Sequence, residues 1–168
     1  MAATYEPIAS TTLGSTAATV TLSGIPTTYT DVILVCSFEF DTAAQFRIRV
    51  GNGSVDTGTN YSFTGLVGNG TTASSFRRSS QAQFYAYNGN GITANTRTIV
   101  VANFMSYANT NVYKTALLVE ASPSDEGVAR EVMLWRSTSA INVIEIYSAS
   151  GELFEAGSTF SLFGIKAA

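Results

Sequence analysis

Three glutamates are the residues best suited by type to acid–base chemistry in this chain: Glu120, Glu131 and Glu145. A pair of carboxylates across a groove can hydrolyse a glycosidic bond, one donating a proton and the other acting as base or nucleophile. Glu145 lies in INVIEIY, with Asn142 and Tyr147 close in sequence, and Glu120 and Glu131 could face a groove. No aromatic cluster accompanies them, so ion pairs or exposed strand faces are the expected settings. The chain has no histidine, which removes the commonest general base and the commonest metal ligand together. No serine sits in G-x-S-x-G, and GNGSVDTG has no lysine after it to make a phosphate loop. Asp41, Asp56, Asp125, Glu126 and Glu131 are dispersed, without the spacing of a calcium loop. The expectation is a chain that is not an enzyme and holds no metal or cofactor.

Aromatic and basic residues supply the contact candidates. Tyr85, Tyr87, Tyr107 and Tyr113 could form a sugar platform or a protein interface. Interface is preferred, because tyrosine buries a large body while its hydroxyl finds a partner. Arg77 and Arg78 are the only adjacent basic pair, read as solvated arginines or as a salt-bridged subunit contact. Trp135, in MLWRS, is assigned to the core or to a subunit interface.

Composition narrows the partners. Only 12% of residues are charged, about half the usual ~25%, so Ser, Thr, Asn and Gly must make the polar surface. A net charge of −3 and a pI near 4.8 give no basic footprint for nucleic acid and no attraction to an anionic membrane. No apolar run approaches the ~20 residues of a membrane-spanning helix. MAATYEPIAS lacks the basic and apolar regions of a signal peptide, so synthesis and assembly in the cytosol are expected. Cys36 is the single cysteine. It sits within VILVCSF and is read as a buried, inert thiol. A mean hydropathy of +0.17 over 168 residues suits one folded domain, residues 1–168.

The elements that must carry these residues read as strands. Met1 to Leu13 is an N-terminal arm or an edge strand. Asp31 to Phe40 places Val32, Leu34, Cys36 and Phe38 on one face and Ile33 and Val35 on the other, so both faces should be covered. Gln45 to Val50 alternates Phe46, Ile48 and Val50 inward with Arg47 and Arg49 outward. Ser54 to Ser80 is irregular and glycine-rich, a functional loop or a set of short strands. Further strands fall over Ala82 to Tyr87, Arg97 to Phe104, Val112 to Glu120 and Val128 to Arg136. Ala140 to Tyr147 and Ser158 to Ile165 read as a closing hairpin, with partners expected in Asp31 to Phe40 and Arg97 to Phe104. Eight or nine strands with turn-rich links predict an all-β, antiparallel β-sandwich, specifically an eight-stranded jelly roll, with a simpler Greek-key sandwich as the alternative.

Several stretches resemble small virion proteins of tailed bacteriophages, abundant among phages of cyanobacteria. They are YEPIASTTLGSTAATVTLSGIPTTYTDVILV, TGTNYSFTGLVGNGTTASS, VANFMSYANTNVYKTALL and MLWRSTSAINVIEIYSASGELFEAGSTFSLFGI. Together they span most of the chain in order, and the LWRST-to-FSLFGI segment is the most specific. The resemblance implies a structural protein on the virion surface. One form is a capsid decoration (cement) protein that binds the major capsid protein and stabilises the head. The other is a fibre or knob component touching host glycans. It assigns no catalytic residues. The short chain beginning at Met1, without a coiled-coil or collagen-like shaft, favours the compact decoration protein. A homotrimer is expected from the resemblance and from the closed symmetry of capsid sites.

Overall fold

A computed structural model describes residues 5–86, 92–122, 127–149 and 151–166. The regular elements among them are all strands, thirteen in number, arranged in two antiparallel sheets. The larger sheet runs β1 (Tyr5–Thr12), β13 (Thr159–Ile165), β3 (Asp31–Phe38), β9 (Thr98–Met105), β10 (Lys114–Ser122), β11 (Gly127–Trp135), β6 (Tyr61–Gly68) and β7 (Ala73–Gln81). The smaller sheet runs β2 (Thr19–Ser23), β12 (Val143–Ser148) and β4 (Phe46–Asn52). Two short strands, β5 (Ser54–Val55) and β8 (Phe84–Tyr85), complete it along the other edge of β4. This is the all-β antiparallel sandwich that the alternation predicted.

The period of two explains which face each strand buries. In β3, Val32, Leu34, Cys36 and Phe38 are fully buried between the sheets, and in β4 so are Phe46, Ile48 and Val50. At one end of the sandwich Phe38, Phe40, Phe46, Phe154 and Phe160 form a cluster of stacked and edge-on rings, with Phe40 and Phe154 centroids 4.7 Å apart. Phe154 belongs to no strand. It enters from the link between β12 and β13 and is held by two backbone hydrogen bonds with Ala17. The Asp41 carboxylate accepts the Leu153 N–H at 2.9 Å beside it.

Two expectations are corrected. The closing stretch is not a hairpin: β12 lies between β2 and β4 in the small sheet, while β13 lies between β1 and β3 in the large one. Of its expected partners, β3 pairs with β13, but β9 pairs only with β3 and β10. Each strand of such an end buries one face, and placing them in opposite sheets buries both inner faces against one another. Second, the outer side of β3 is not covered by another layer of the described residues. Ile33 and Val35 stay half-buried, shielded by the neighbouring strands of the same sheet. Of the two readings of Ser54 to Ser80, a functional loop or a set of short strands, the structure shows strands: β5, β6 and all of β7 but Gln81. The N-terminal stretch read as an arm or an edge strand contains β1, an edge strand paired with β13.

The large sheet is wider than the small one. Beyond β9 it continues through β10, β11, β6 and β7, and the inner face of this extension mixes apolar with charged residues. Lys114, Glu120 and Glu131 are buried there, each no more than 2% exposed. Lys114 Nζ donates to the Val112 and Thr138 carbonyls at 2.7 and 3.0 Å, and burial pulls its pKa down. Tyr61 packs edge-on against Phe84, and Phe63 packs against Tyr85, so β8 helps to cover the inner side of β6.

Candidate functional site

Two outer faces, on opposite sides of the sandwich, carry the features with functional content. The first is the outer face of the large sheet. Register puts Val35, Val101, Val119, Arg130, Leu66 and Ser75 in one row across β3, β9, β10, β11, β6 and β7. The adjacent row holds Ile33, Asn103, Leu117, Val132, Thr64 and Arg77. An antiparallel sheet commonly turns a polar face to water, whereas several outward positions here are apolar. Here Leu66 is 65% exposed, Val128 57% and Val132 52%. A hollow of about 380 Å³ opens between Leu66, Leu117, Val119 and Val132, with Ser75 and Arg130 at its side.

Opposite the hollow, on the inner side of β6, Gly65 accepts close packing. A Cβ there would come within 2.5 Å of the Phe76 ring and 2.9 Å of Glu131 Cγ. Among the described residues, the outward strand positions from β9 to β7 carry two charges, Arg130 and Arg77, both positive. Asp31 lies at the far end of β3, where its carboxylate accepts the Ser106 N–H at 2.7 Å.

The second face is the outer side of the small sheet. In β4 the alternation that buries Phe46 and Ile48 turns Arg47 and Arg49 outward together. Register sets Tyr147, Arg47 and Tyr85 side by side across β12, β4 and β8, and sets Thr21, Glu145 and Arg49 in the next row. The Arg47 guanidinium lies 4.7 Å from the Tyr85 ring centroid, and that of Arg49 lies 4.5 Å from Tyr147. Arg49 pairs with Glu145 at 3.4 Å and donates to the Ala82 carbonyl at 3.3 Å. Arg47 has no carboxylate partner among the described residues. It donates to Gln45 Oε1 at 2.7 Å, and its Nε is buried without a hydrogen-bond partner.

Gln83, only 5% exposed, satisfies its neighbours in one orientation of its amide. The oxygen then accepts from Arg47 Nη1 at 3.3 Å and Tyr85 Oη at 2.6 Å, and the nitrogen donates to the Ala82 carbonyl and Tyr147 Oη, both at 3.2 Å. Burial raises the Tyr147 pKa, against the pull of Arg49 and Arg47.

The sequence-based candidates divide between these settings. Tyr85 joins the arginine face. Tyr113 is 54% exposed on the link just before β10. Tyr107 is corrected from interface to core: it is fully buried, and its hydroxyl donates to the Pro26 carbonyl. Tyr87 lies outside the described residues, as do Asp125 and Glu126. Arg77 and Arg78 are exposed on β7, the last strand of the large sheet. Glu120 and Glu131 are not on exposed faces, since both turn inward and are buried. Glu145 is in the expected ion pair. Trp135 is buried, and its Nε1 donates to Asp56 at 2.7 Å. Cys36 is fully buried, and burial pushes its thiol pKa far up.

Sequence reasoning placed Arg47 and Arg49 outward but did not single them out. The R-x-R spacing in a strand was the available signal, because it puts two cations on one face.

No family model matches the chain, and no curated protein matches it. The resemblance to phage virion proteins therefore rests on the quoted stretches alone. Among solved structures, an alginate lyase double mutant in complex with alginate tetrasaccharide matches at 12% identity and a TM-score of 0.30, covering 82% of this chain and 80% of that one. The expectation that the chain is not an enzyme is corrected, since nothing in the sequence excludes an enzyme. Lack of histidine and of serine-hydrolase motifs does not exclude catalysis. A likeness of this size assigns no activity to this chain.

Proposed function

We propose that this protein is a structural component of a tailed-phage virion, seated through the outer face of its large sheet on the head's major capsid protein, which it stabilises. The observation that carries the reading is the exposed apolar face around Leu66, Leu117 and Val132. Large apolar side chains exposed side by side on a soluble protein mark a contact surface. A stable interface takes roughly 800 Å² from each partner, so the rows reaching back to β3 belong to the seat. Glu131 lines the hollow but is turned inward and buried, and the outward charges beside it are cations, so the seat favours a partner surface that offers apolar anchors beside a carboxylate. Few surface charges elsewhere suit contacts that depend weakly on salt.

The strand order supports the finer fold reading. β1-β13-β3-β9 in the large sheet and β2-β12-β4-β8 in the small one alternate along the chain, as the two Greek keys of a jelly roll do. On this reading β10, β11, β6 and β7 are an added flap that presents the hollow.

The test is attachment. Heads lacking the protein are mixed with the purified chain and sedimented. Wild type should co-sediment and raise the temperature at which the heads open, while Leu117→Asp and Val132→Asp should stay in solution with unchanged melting temperatures. Equal attachment of the charged variants, or labelling of the protein at the tail in electron micrographs, would refute the seat. Native mass spectrometry tests the homotrimer that belongs to the same proposal, and a monomer at micromolar concentration counts against it.

A further inference from the structure

The outer face of the small sheet is built to hold a negative ligand. It carries two guanidinium groups and one carboxylate, and Glu145 is already engaged by Arg49 at 3.4 Å. Arg47 has no carboxylate partner among the described residues; the groups that its guanidinium meets, Gln45, Gln83, Tyr147 and the Tyr85 ring, are neutral, and its Nε is enclosed and out of a ligand's reach. The excess runs against the sign of the whole chain, whose net charge is −3. A planar guanidinium matches a carboxylate with two parallel hydrogen bonds.

What surrounds Arg47 defines the remainder of the ligand. Tyr147 and Tyr85 flank it in register, one on each neighbouring strand, and Thr19 and Thr21 are exposed on β2 beside them. These are neutral hydroxyl donors and acceptors at the spacing of adjacent strands, about 4.8 Å. The buried Gln83 amide holds both phenols and Arg47 in place, so the group is preorganised. A simple inorganic anion has no use for hydroxyls on either side of the cation. A sugar ring bearing a carboxylate uses both.

We propose that this face binds an acidic glycan through one uronic acid unit, with its carboxylate on Arg47 and its hydroxyls on Tyr85, Tyr147 and the threonines of β2. The inference does not depend on the virion reading, since it concerns the opposite side of the sandwich.

The test is titration calorimetry of the full chain with a galacturonic acid tetramer. Wild type should bind the tetramer and bind its methyl ester at least tenfold more weakly. Arg47→Gln should weaken binding at least tenfold, while Arg97→Gln, which removes an equal charge from the pair with Glu39, should leave it unchanged. Tyr147→Phe and Tyr85→Phe keep the rings and lose the hydroxyls, and each should weaken binding severalfold. They decide the matter if Arg47→Gln does not fold. Equal affinity for the ester, equal losses in the Arg47 and Arg97 variants, or full affinity in both phenylalanine variants overturns the proposal. Equally tight binding of a tetraglutamate peptide overturns the sugar part by reducing the face to a carboxylate site. Absence of any binding by wild type at millimolar tetramer overturns the whole.

Discussion

Trp135 donates its indole N–H to Asp56 at 2.7 Å, joining the end of β11 to the link that leads into β6. Asp56 also accepts from Asn60 Nδ2 at 2.8 Å and from the Gly58 N–H at 2.7 Å. Burial alone would raise the Asp56 pKa, but the three hydrogen bonds, led by that from Trp135, hold it below the usual value. A folded pKa below the unfolded one makes a contribution that is complete above the unfolded value, near 3.9, and is lost as pH falls through the lowered folded value. Melting temperature should therefore decline below about pH 4, and Asp56→Asn should flatten that decline. Asp56→Ala should cost about 1–3 kcal/mol, because the buried indole N–H loses its acceptor. An unchanged pH profile in Asp56→Asn would remove Asp56 as the source.

Phe154 is the largest single contributor to the aromatic cluster that lies outside any strand. It contacts Phe38, Phe40, Phe46 and Phe160 with centroids 4.7–6.3 Å away. Phe154→Ala should destabilise by about 3–5 kcal/mol, read from urea denaturation. A loss under 1 kcal/mol would mean that the link collapses into the space, contrary to its hydrogen bonding to Ala17 and Asp41.

Gly65 and Phe76 are mutually dependent. A Cβ at Gly65 meets Phe76 Cζ at 2.5 Å, so Gly65→Ala should destabilise by about 1–3 kcal/mol through overpacking. The Phe76→Ala background should relieve a large part of that cost, giving a double-mutant coupling above 0.5 kcal/mol. Additive losses would place the strain elsewhere.

Cys36 should resist thiol reagents in the native protein, because the thiol is enclosed and burial disfavours its thiolate. Labelling should begin only at denaturant concentrations that unfold the sandwich. Rapid labelling of the native chain would show that β3 opens locally.

Side-chain alternation is a local property, so the inward set Val32, Leu34, Cys36 and Phe38, the outward pair Arg47 and Arg49, and the sandwich class were legible in the sequence. Steric and hydrophobic rules with a period of two act within a strand and need no partner. Which strands meet is decided over long separations, as where Ser10 faces Ser161 across β1 and β13 at 2.8 Å. The closing stretch shows the difference. Both of its strands were visible in the sequence, but their separation into two sheets was not, since either pairing satisfies the same alternation.

The same reason hid both outer faces. Arg47, Gln83 and Tyr147 are far apart in the chain and meet only through the register of β4 and β12 and the placement of β8. The apolar residues outside β10 and β11 read as core until the width of the two sheets is known. Tertiary structure alone decides that β10 and β11 lie beyond β9 in the wider sheet and that Leu117 and Val132 stay exposed on its outer face.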